Sequence, residues 1–419
     1  MTMTPAPAYS LAERDRRWAL ARELMAAEGV DALLVYGERE MVYPTLHAHD
    51  VYFTNDRPGS IVIFGRDAEP MVLVGFPAQI NDHIEASDRG EPSWLDPRNL
   101  RVARHPRGVI EVLRAHGLDN TTGARIGVIG IDPSPPWHLV PILPQALWLA
   151  LSEELPGATF VGVHRAFLDL ASRQSAEEQA VLAYCAAVGD AMAQAMLEAT
   201  KPGVTEADVI AAGTAEGYRH GTIVPPMVVQ PGAAAVAWDR PAYAYRPGAP
   251  RILAEGDLLL AEASCCFGMR ESQHQIAIAV GGVHPDAARA ARIARDSYDA
   301  GRQALRPGHT FGDVVRAMRE RVADAGSWNV HPLVHALYPY RPSGAWGAGM
   351  RARPSTSDCG PIAEIAMIGV DTPIRPGMAF SLEPNCVVGR HTVSIGGTVI
   401  MSETGPTELN PFTAQLLRA

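Results

Sequence analysis

Cysteine is scarce in this chain and shows no pairing pattern: five occur in 419 residues, Cys185, Cys265, Cys266, Cys359 and Cys386. The number is odd and no Cys-x-x-Cys spacing appears, so neither a disulfide framework nor a zinc knuckle is indicated, and a reducing compartment is expected. Positive charge is in deficit, with 36 Lys and Arg against 46 Asp and Glu and a net charge of −10. That balance argues against nucleic acid or an anionic membrane as the main partner. Met1 to Tyr9 lacks the charged start and apolar run of a secretory leader, and no stretch reads as long and apolar enough to span a bilayer, so a cytoplasmic protein is expected. Also missing are a Gly-x-Ser-x-Gly elbow, a phosphate loop and His-Glu-x-x-His. Gly127 and Gly130 are not part of a dinucleotide fingerprint, which removes support for serine-hydrolase, nucleotide and zincin chemistry.

What is present is enough apolar residue, 47% of the chain, for a large core and two domains, placed at 1–170 and 171–419. In the first, Ser10-Leu11-Ala12-Glu13 reads as a capping box opening a helix that Gly29 stops. Ala32–Tyr36, Ser60–Phe64, Met71–Val74 and Ile126–Ile129 read as buried strands, and their alternation with helices predicts an α/β domain. His47 and His49 form a His-x-His pair whose metal reading lacks further ligands; a solvated loop is expected there.

The second domain contains two copies of one idea. Gly256 and Gly377 each open a turn followed by an apolar strand, with a glutamate six residues on, Glu262 and Glu383 (262−256; 383−377). Lys201-Pro202-Gly203-Val204-Thr205 likewise recurs as Arg306-Pro307-Gly308-His309-Thr310, each threonine followed three residues later by an aspartate that closes a capping box. Two related halves facing each other would bring the glutamates together, and a charge at the end of an apolar strand is costly unless paired, bound or at work.

These motifs, with Ser381-Leu382-Glu383-Pro384 and a final Thr398-to-Gly405 strand and turn, resemble the pita-bread hydrolases: creatinase, aminopeptidase P, prolidase and methionine aminopeptidase. The resemblance covers nearly the whole chain and implies an α/β (α+β) protein, a creatinase-type N-terminal α/β domain followed by a pseudo-twofold pita-bread catalytic domain. Peptidases of that family hold two metal ions on two aspartates, one histidine and two glutamates. Here the first aspartate position carries Glu262 and the second Gln273, while the last strand has Gly396-Gly397 where a glutamate is usual. Glu383 is unchanged, and His331 or His335 is the nearest candidate for the histidine. The expectation is therefore that the metal pair is lost. Glu262, Gln273 and Trp238-Asp239-Arg240-Pro241 are similar to the ectoine hydrolase branch, as is the run from Tyr338-Pro339 to Trp346.

On that reading the chain is a metal-independent hydrolase, without cofactor, acting on a C–N bond of a small cyclic amidine or amide. Glu262 and Glu383 would divide the acid and base roles, since two desolvated carboxylates cannot both ionise cheaply. Trp238, Asp239, Gln273, His331, His335 and Trp346 would contact the substrate, the two histidines facing one way if the segment is helical. Two further readings stay open: an Xaa-Pro aminopeptidase or dipeptidase with an altered metal set, and a non-catalytic binding member. A homodimer is expected from the resemblance alone.

Overall fold

A computed structural model describes residues 5–38, 48–119, 123–131, 143–233, 238–339, 342–349 and 364–419. The chain divides into two compact units, Ala8–Glu177 and Glu178–Ala419.

In the first unit the elements run α1 (Leu11–Glu28), β1 (Ala32–Tyr36), α2 (His49–Thr54), β2 (Ile61–Gly65), β3 (Met71–Val74), α3 (Pro77–Asp88), β4 (Leu100–Val102), α4 (Pro106–Ala115), β5 (Arg125–Ile129), α5 (Gln145–Glu154), β6 (Thr159–Gly162) and α6 (His164–Ala171). The six strands form a mixed sheet in the order β4-β3-β2-β1-β5-β6, with β1 central, antiparallel to β2 and parallel to β5. Every residue of β1 is buried, which is why its sequence shows no polar alternation. Ser10 caps α1 by accepting the Glu13 N–H, and Gly29 ends it in the left-handed conformation. The predicted capping box does not close: the Glu13 carboxylate is taken by Arg16 and Arg17, and the Ser10 N–H is given to Glu177 instead.

The expected solvated loop at the His-x-His pair fails for His49, which is buried in α2 with its ring edge-on to His164 and Phe167; His47 lies outside the described residues. Apolar neighbours in Val51, Tyr52 and Phe53 carry the short helix, and His49 with it, into the core.

The second unit continues with α7 (Ala176–Ala199), α8 (Glu206–Arg219), β7 (Val228–Gly232), β8 (Leu258–Phe267), β9 (Arg270–Ala279), α9 (Pro285–Ala304), α10 (Phe311–Asp324), β10 (Val334–Ala336), β11 (Ala379–Leu382), β12 (Asn385–Val388), β13 (His391–Ser394), β14 (Gly396–Ser402), β15 (Gly405–Glu408) and β16 (Leu416–Arg418). The internal repeat is reproduced in backbone detail. Gly203 and Gly308 both have φ +90°, Gly256 and Gly377 have φ +84° and +87°, and Thr205–Asp208 and Thr310–Asp313 both close full capping boxes at the starts of 14-residue helices. The sheet runs β10-β11-β14-β9-β8-β7, so the two halves meet where β14 pairs antiparallel with β9.

Contrary to the sequence expectation, α7 is long and apolar enough to cross a membrane by length and composition. Its apolar side chains, among them Leu182, Val188, Met192 and Met196, are instead buried in the unit, which makes it a core helix. A Cβ added at Gly189 of α7 would lie 1.9 Å from Cε1 of the buried His274 ring on β9. Gly189→Ala should therefore lower unfolding free energy by about 1–3 kcal/mol through overpacking, read from urea denaturation.

Candidate functional site

The two repeat glutamates meet. Glu262 lies in the middle of β8, opposite Gln275 of β9, and Gln275 in turn lies opposite Gly396 of β14. Glu383 follows the last residue of β11, and its N–H is held by the Leu333 carbonyl. The Gln275 amide nitrogen donates to both carboxylates, 3.0 Å to Glu262 Oε2 and 2.7 Å to Glu383 Oε2. One side chain from the strand between the two halves thus joins an acid from each. Gln275 Oε1 accepts from Ser394 Oγ at 3.2 Å, and Ser394 Oγ is also 3.2 Å from His331 Nε2.

Burial decides the charges here. It holds the Glu383 carboxyl well above the usual carboxylate range; His335 opposes that shift, Glu262 adds to it and the Gln275 N–H opposes it. Burial also pushes the His331 imidazole down to about 4, against the upward pull of Glu262 and of the Pro332 carbonyl. His331 is therefore a neutral ring at pH 7, and it stacks on Trp238 with centroids 4.5 Å apart and planes 23° apart.

The segment holding His331 and His335 is not helical, so the condition for the two rings to face one way is not met. Pro332 and the strand β10 keep the segment extended, and the two rings reach Glu383 from different points, His335 Nε2 at 3.4 Å and His331 Nδ1 at 3.7 Å from its Oε1. Gln273 and His274 point to opposite faces of β9 as strand alternation requires: His274 reaches the Ala186 carbonyl of α7, while Gln273 Oε1 lies 3.0 Å from His335 Nε2. Trp238 joins the site through His331. Asp239 is exposed, its carboxylate accepting the Arg240 N–H and its carbonyl facing β7, and Trp346 pairs through its backbone with Ile365. Cys265 and Cys266 are buried, as a packing role requires.

Three functional residues escaped the sequence reading. Gln275 shares a strand face with Gln273, so period-two alternation pointed to it. Asn385 stands two residues after Glu383; its Oδ1 accepts from the Val330 N–H at 2.7 Å, and its Nδ2 donates to the His331, Pro332 and Glu383 carbonyls. It fixes the loop that presents His331. Ser394 gave no signal, because only the β12–β13 hairpin's return brings it back to Gln275.

One corner of the site has unusual chemistry. His335 Nδ1 faces the Ala336 carbonyl at 2.8 Å, so that nitrogen carries the proton. The Gln273 amide is oriented by its Nε2–H contact with Glu271 Oε1 at 3.3 Å, which turns Oε1 toward His335. The lone pair of Nε2 thus converges with Gln273 Oε1 and Glu383 Oε1. His335 Nε2 lies 3.0 Å from Gln273 Oε1 and 3.4 Å from Glu383 Oε1, a spacing that a proton on Nε2, a proton on the Glu383 carboxyl or a bound cation would bridge.

Comparison with known proteins follows from this geometry. The model of metallopeptidase family M24 matches residues 179–403. A curated protein of Mycobacterium tuberculosis described as a probable dipeptidase, PepE, is 28% identical over 224 residues. The match covers 52% of this chain and 52% of that relative, so it spans about half the length of the curated protein. Among solved structures, dipeptidase PepE from Mycobacterium ulcerans superposes with a TM-score of 0.70 at 21% identity, covering 98% of this chain and 99% of that one. X-Pro aminopeptidase from Thermotoga maritima gives 0.71 at 13% identity, covering 96% and 99%. These likenesses show the pita-bread fold. The expectation of a metal-independent hydrolase of non-peptide C–N bonds is overturned by them, because the matched family is one of metallopeptidases and the curated relative is described as a dipeptidase.

The donor set nevertheless does not fit two ions. A Cβ at Gly396, whose φ is +127°, would lie 2.0 Å from the Leu382 carbonyl oxygen, and one at Gly397 would lie 2.7 Å from the Asn410 Cβ. No acidic side chain can stand at either place without moving backbone, and Gln273 brings an amide where a second carboxylate is needed. The two edges at His335 Nε2, 3.0 Å to Gln273 Oε1 and 3.4 Å to Glu383 Oε1, are compatible with one ion held at bonds of about 2.1 Å.

Proposed function

The chain belongs to metallopeptidase family M24, and from that premise we propose that it hydrolyses the amide bond of short peptides of dipeptide size, using a reduced metal site. The observation that carries this reading is the approach of His335 Nε2 to both Gln273 Oε1 and Glu383 Oε1, at 3.0 and 3.4 Å, beside the Gln275 amide that links Glu262 to Glu383. His335, Gln273 and Glu383 would hold one divalent ion. When bound, such an ion polarises a carbonyl and lowers the pKa of water.

The chain's own residues supply the rest. Glu262, half-buried beside Gln275, takes the proton of the attacking water as its oxygen bonds to the peptide carbonyl carbon. It returns that proton to the nitrogen as the C–N bond breaks, leaving an acid and an amine. Gln275 keeps Glu262 and Glu383 at fixed separation, which is the positioning that amide hydrolysis requires. Trp238 and the neutral His331 make a flat wall suited to the side chain of a small substrate. The finer kinship with the ectoine hydrolase branch, read from Glu262, Gln273 and Trp238-Asp239-Arg240-Pro241, is a proposal about descent and specifies no substrate.

A panel of Xaa-Pro and non-prolyl dipeptides, with one cyclic amidine as contrast, tests the reading. Chelator-stripped protein should lose dipeptide hydrolysis by about tenfold or more and regain it with one equivalent of Mn²⁺, not two. Undiminished turnover in the stripped protein, or hydrolysis of the amidine and of no dipeptide, would overturn it.

A further inference from the structure

A second cluster of metal-ligating side chains lies on the same unit and takes no part in the network around Glu383. His284 is the N-cap residue of α9, Asp286 stands in the first turn of that helix, and His391 is the first residue of β13. The two imidazole rings lie face to face, centroids 4.0 Å apart and planes 10° apart. One ligand atom from each of the three residues falls within 4.8 Å of the others. The Asp286 carboxylate is 3.9 Å from His284 Nδ1 and lies near the hairpin turn, since a Cβ added at Gly389 would lie 3.2 Å from its Oδ2.

The placement is fixed by packing. Ala287, Ala290 and Ala294 of α9 share one buried core with Cys386 and Val393 of the hairpin, so rigid elements present the donors. Helix capping accounts for His284, whose Nδ1 accepts the Asp286 N–H at 3.2 Å. It does not account for His391, aligned over that ring from a different element. His284 Nδ1 already offers its lone pair to the Asp286 N–H, and the Asp286 carboxylate stands beside that ring.

We propose that His284, Asp286 and His391 form a binding site for one transition-metal ion, with Zn²⁺ as the matching ion, that clamps the β12–β13 hairpin to the start of α9. Two imidazoles and one carboxylate suit Zn²⁺ and leave a position for water, whereas Mg²⁺ and Ca²⁺ prefer an all-oxygen shell. Binding draws the three donors together to the spacing of a tetrahedral shell, about 3.4 Å. The partly exposed rings turn off their stack to reach it, and the ion replaces the Asp286 N–H at His284 Nδ1. The hairpin so held carries Asn385 and Ser394, which order the loop and amide around Glu383. The clamp thereby steadies that network without supplying a group to it.

Zn²⁺ titrated calorimetrically into the chelator-stripped full chain tests the proposal, with wild type, His284→Ala, His391→Ala and Glu383→Gln compared side by side. Both histidine variants should lose one class of Zn²⁺ binding, weakened by about tenfold or more, a factor worth 1.4 kcal/mol, and should lose the accompanying rise in Tm. Glu383→Gln should keep that class. Wild-type Zn²⁺ affinity and stoichiometry in both histidine variants would overturn the clamp and leave the peptidase reading untouched. Loss of dipeptide hydrolysis on metal removal is likewise independent of it. Both substituted histidines lie at the surface of their elements, so circular dichroism should show the folded state in each variant.

Discussion

Glu383→Gln is expected to lower kcat/KM for a dipeptide by about a hundred- to ten-thousand-fold while leaving Tm within a few degrees of wild type. The fold should survive because the substitution is isosteric and buried beside donors and acceptors an amide can also use. Gln275 Nε2 would still find an oxygen, and the backbone N–H of residue 383 would still be held by Leu333. Chemistry should not survive. An amide cannot take up or release a proton among His335, Gln273 and the reacting centre, and it cannot share a proton with Glu262. Glu262→Gln makes the complementary test: the proposed base goes while His335, Gln273 and Glu383 stay. Reduced turnover with retained Mn²⁺ binding is expected there, against loss of both in Glu383→Gln. Near-normal kcat/KM in either variant would remove the carboxylate pair from the mechanism.

The repeat was legible because it is local. A glycine that must adopt positive φ, an apolar strand and an acid six residues on can be read without knowing what packs where, and Gly256 and Gly377 behave accordingly. The capping boxes at Thr205 and Thr310 were legible for the same reason. The capping box at Ser10 was misread because its reciprocal half depends on distant groups: Arg17 captures Glu13, and Glu177 captures the Ser10 N–H. His49 was misread because polarity in a short segment says little about burial when aromatic neighbours lead it inward. At the site, the sequence pointed to both glutamates, and to Gln273 as a departure from the family pattern. It could not show that Gln275, two residues on, would bridge them, because that depends on the β8, β9 and β14 registers at once. Nor could it show that Gly396 and Gly397 exclude a side chain, since the obstacles are the Leu382 carbonyl and Asn410. The chemistry was misjudged for a related reason: missing ligands were taken as loss of all metal, whereas the family matched over residues 179–403 is one of metallopeptidases.

Glu178→Ala should be among the most damaging substitutions outside the site, lowering the unfolding free energy by about 3–5 kcal/mol because it strands a buried guanidinium. Glu178, in the first turn of α7, pairs with Arg270 at the start of β9, and both residues are 1% exposed. Arg270 also donates to the Tyr338 carbonyl at 3.4 Å and lies over the Tyr338 ring. Removing the acid leaves the buried guanidinium without its carboxylate. Arg270→Met alone should do comparable harm by leaving the carboxylate behind, while Glu178→Met combined with Arg270→Met should recover much of the loss, since a desolvated pair replaced by apolar groups of similar volume is often nearly neutral. Urea denaturation of the two single variants and the double variant gives the coupling directly. Additive losses would show that the pair does not act as a unit. Non-additivity has a functional consequence, because β9 runs from Arg270 through Gln273 to Gln275. An ion pair that fixes the start of that strand against α7 also fixes the register in which one amide reaches Glu262 and Glu383, so the double variant should regain stability ahead of kcat.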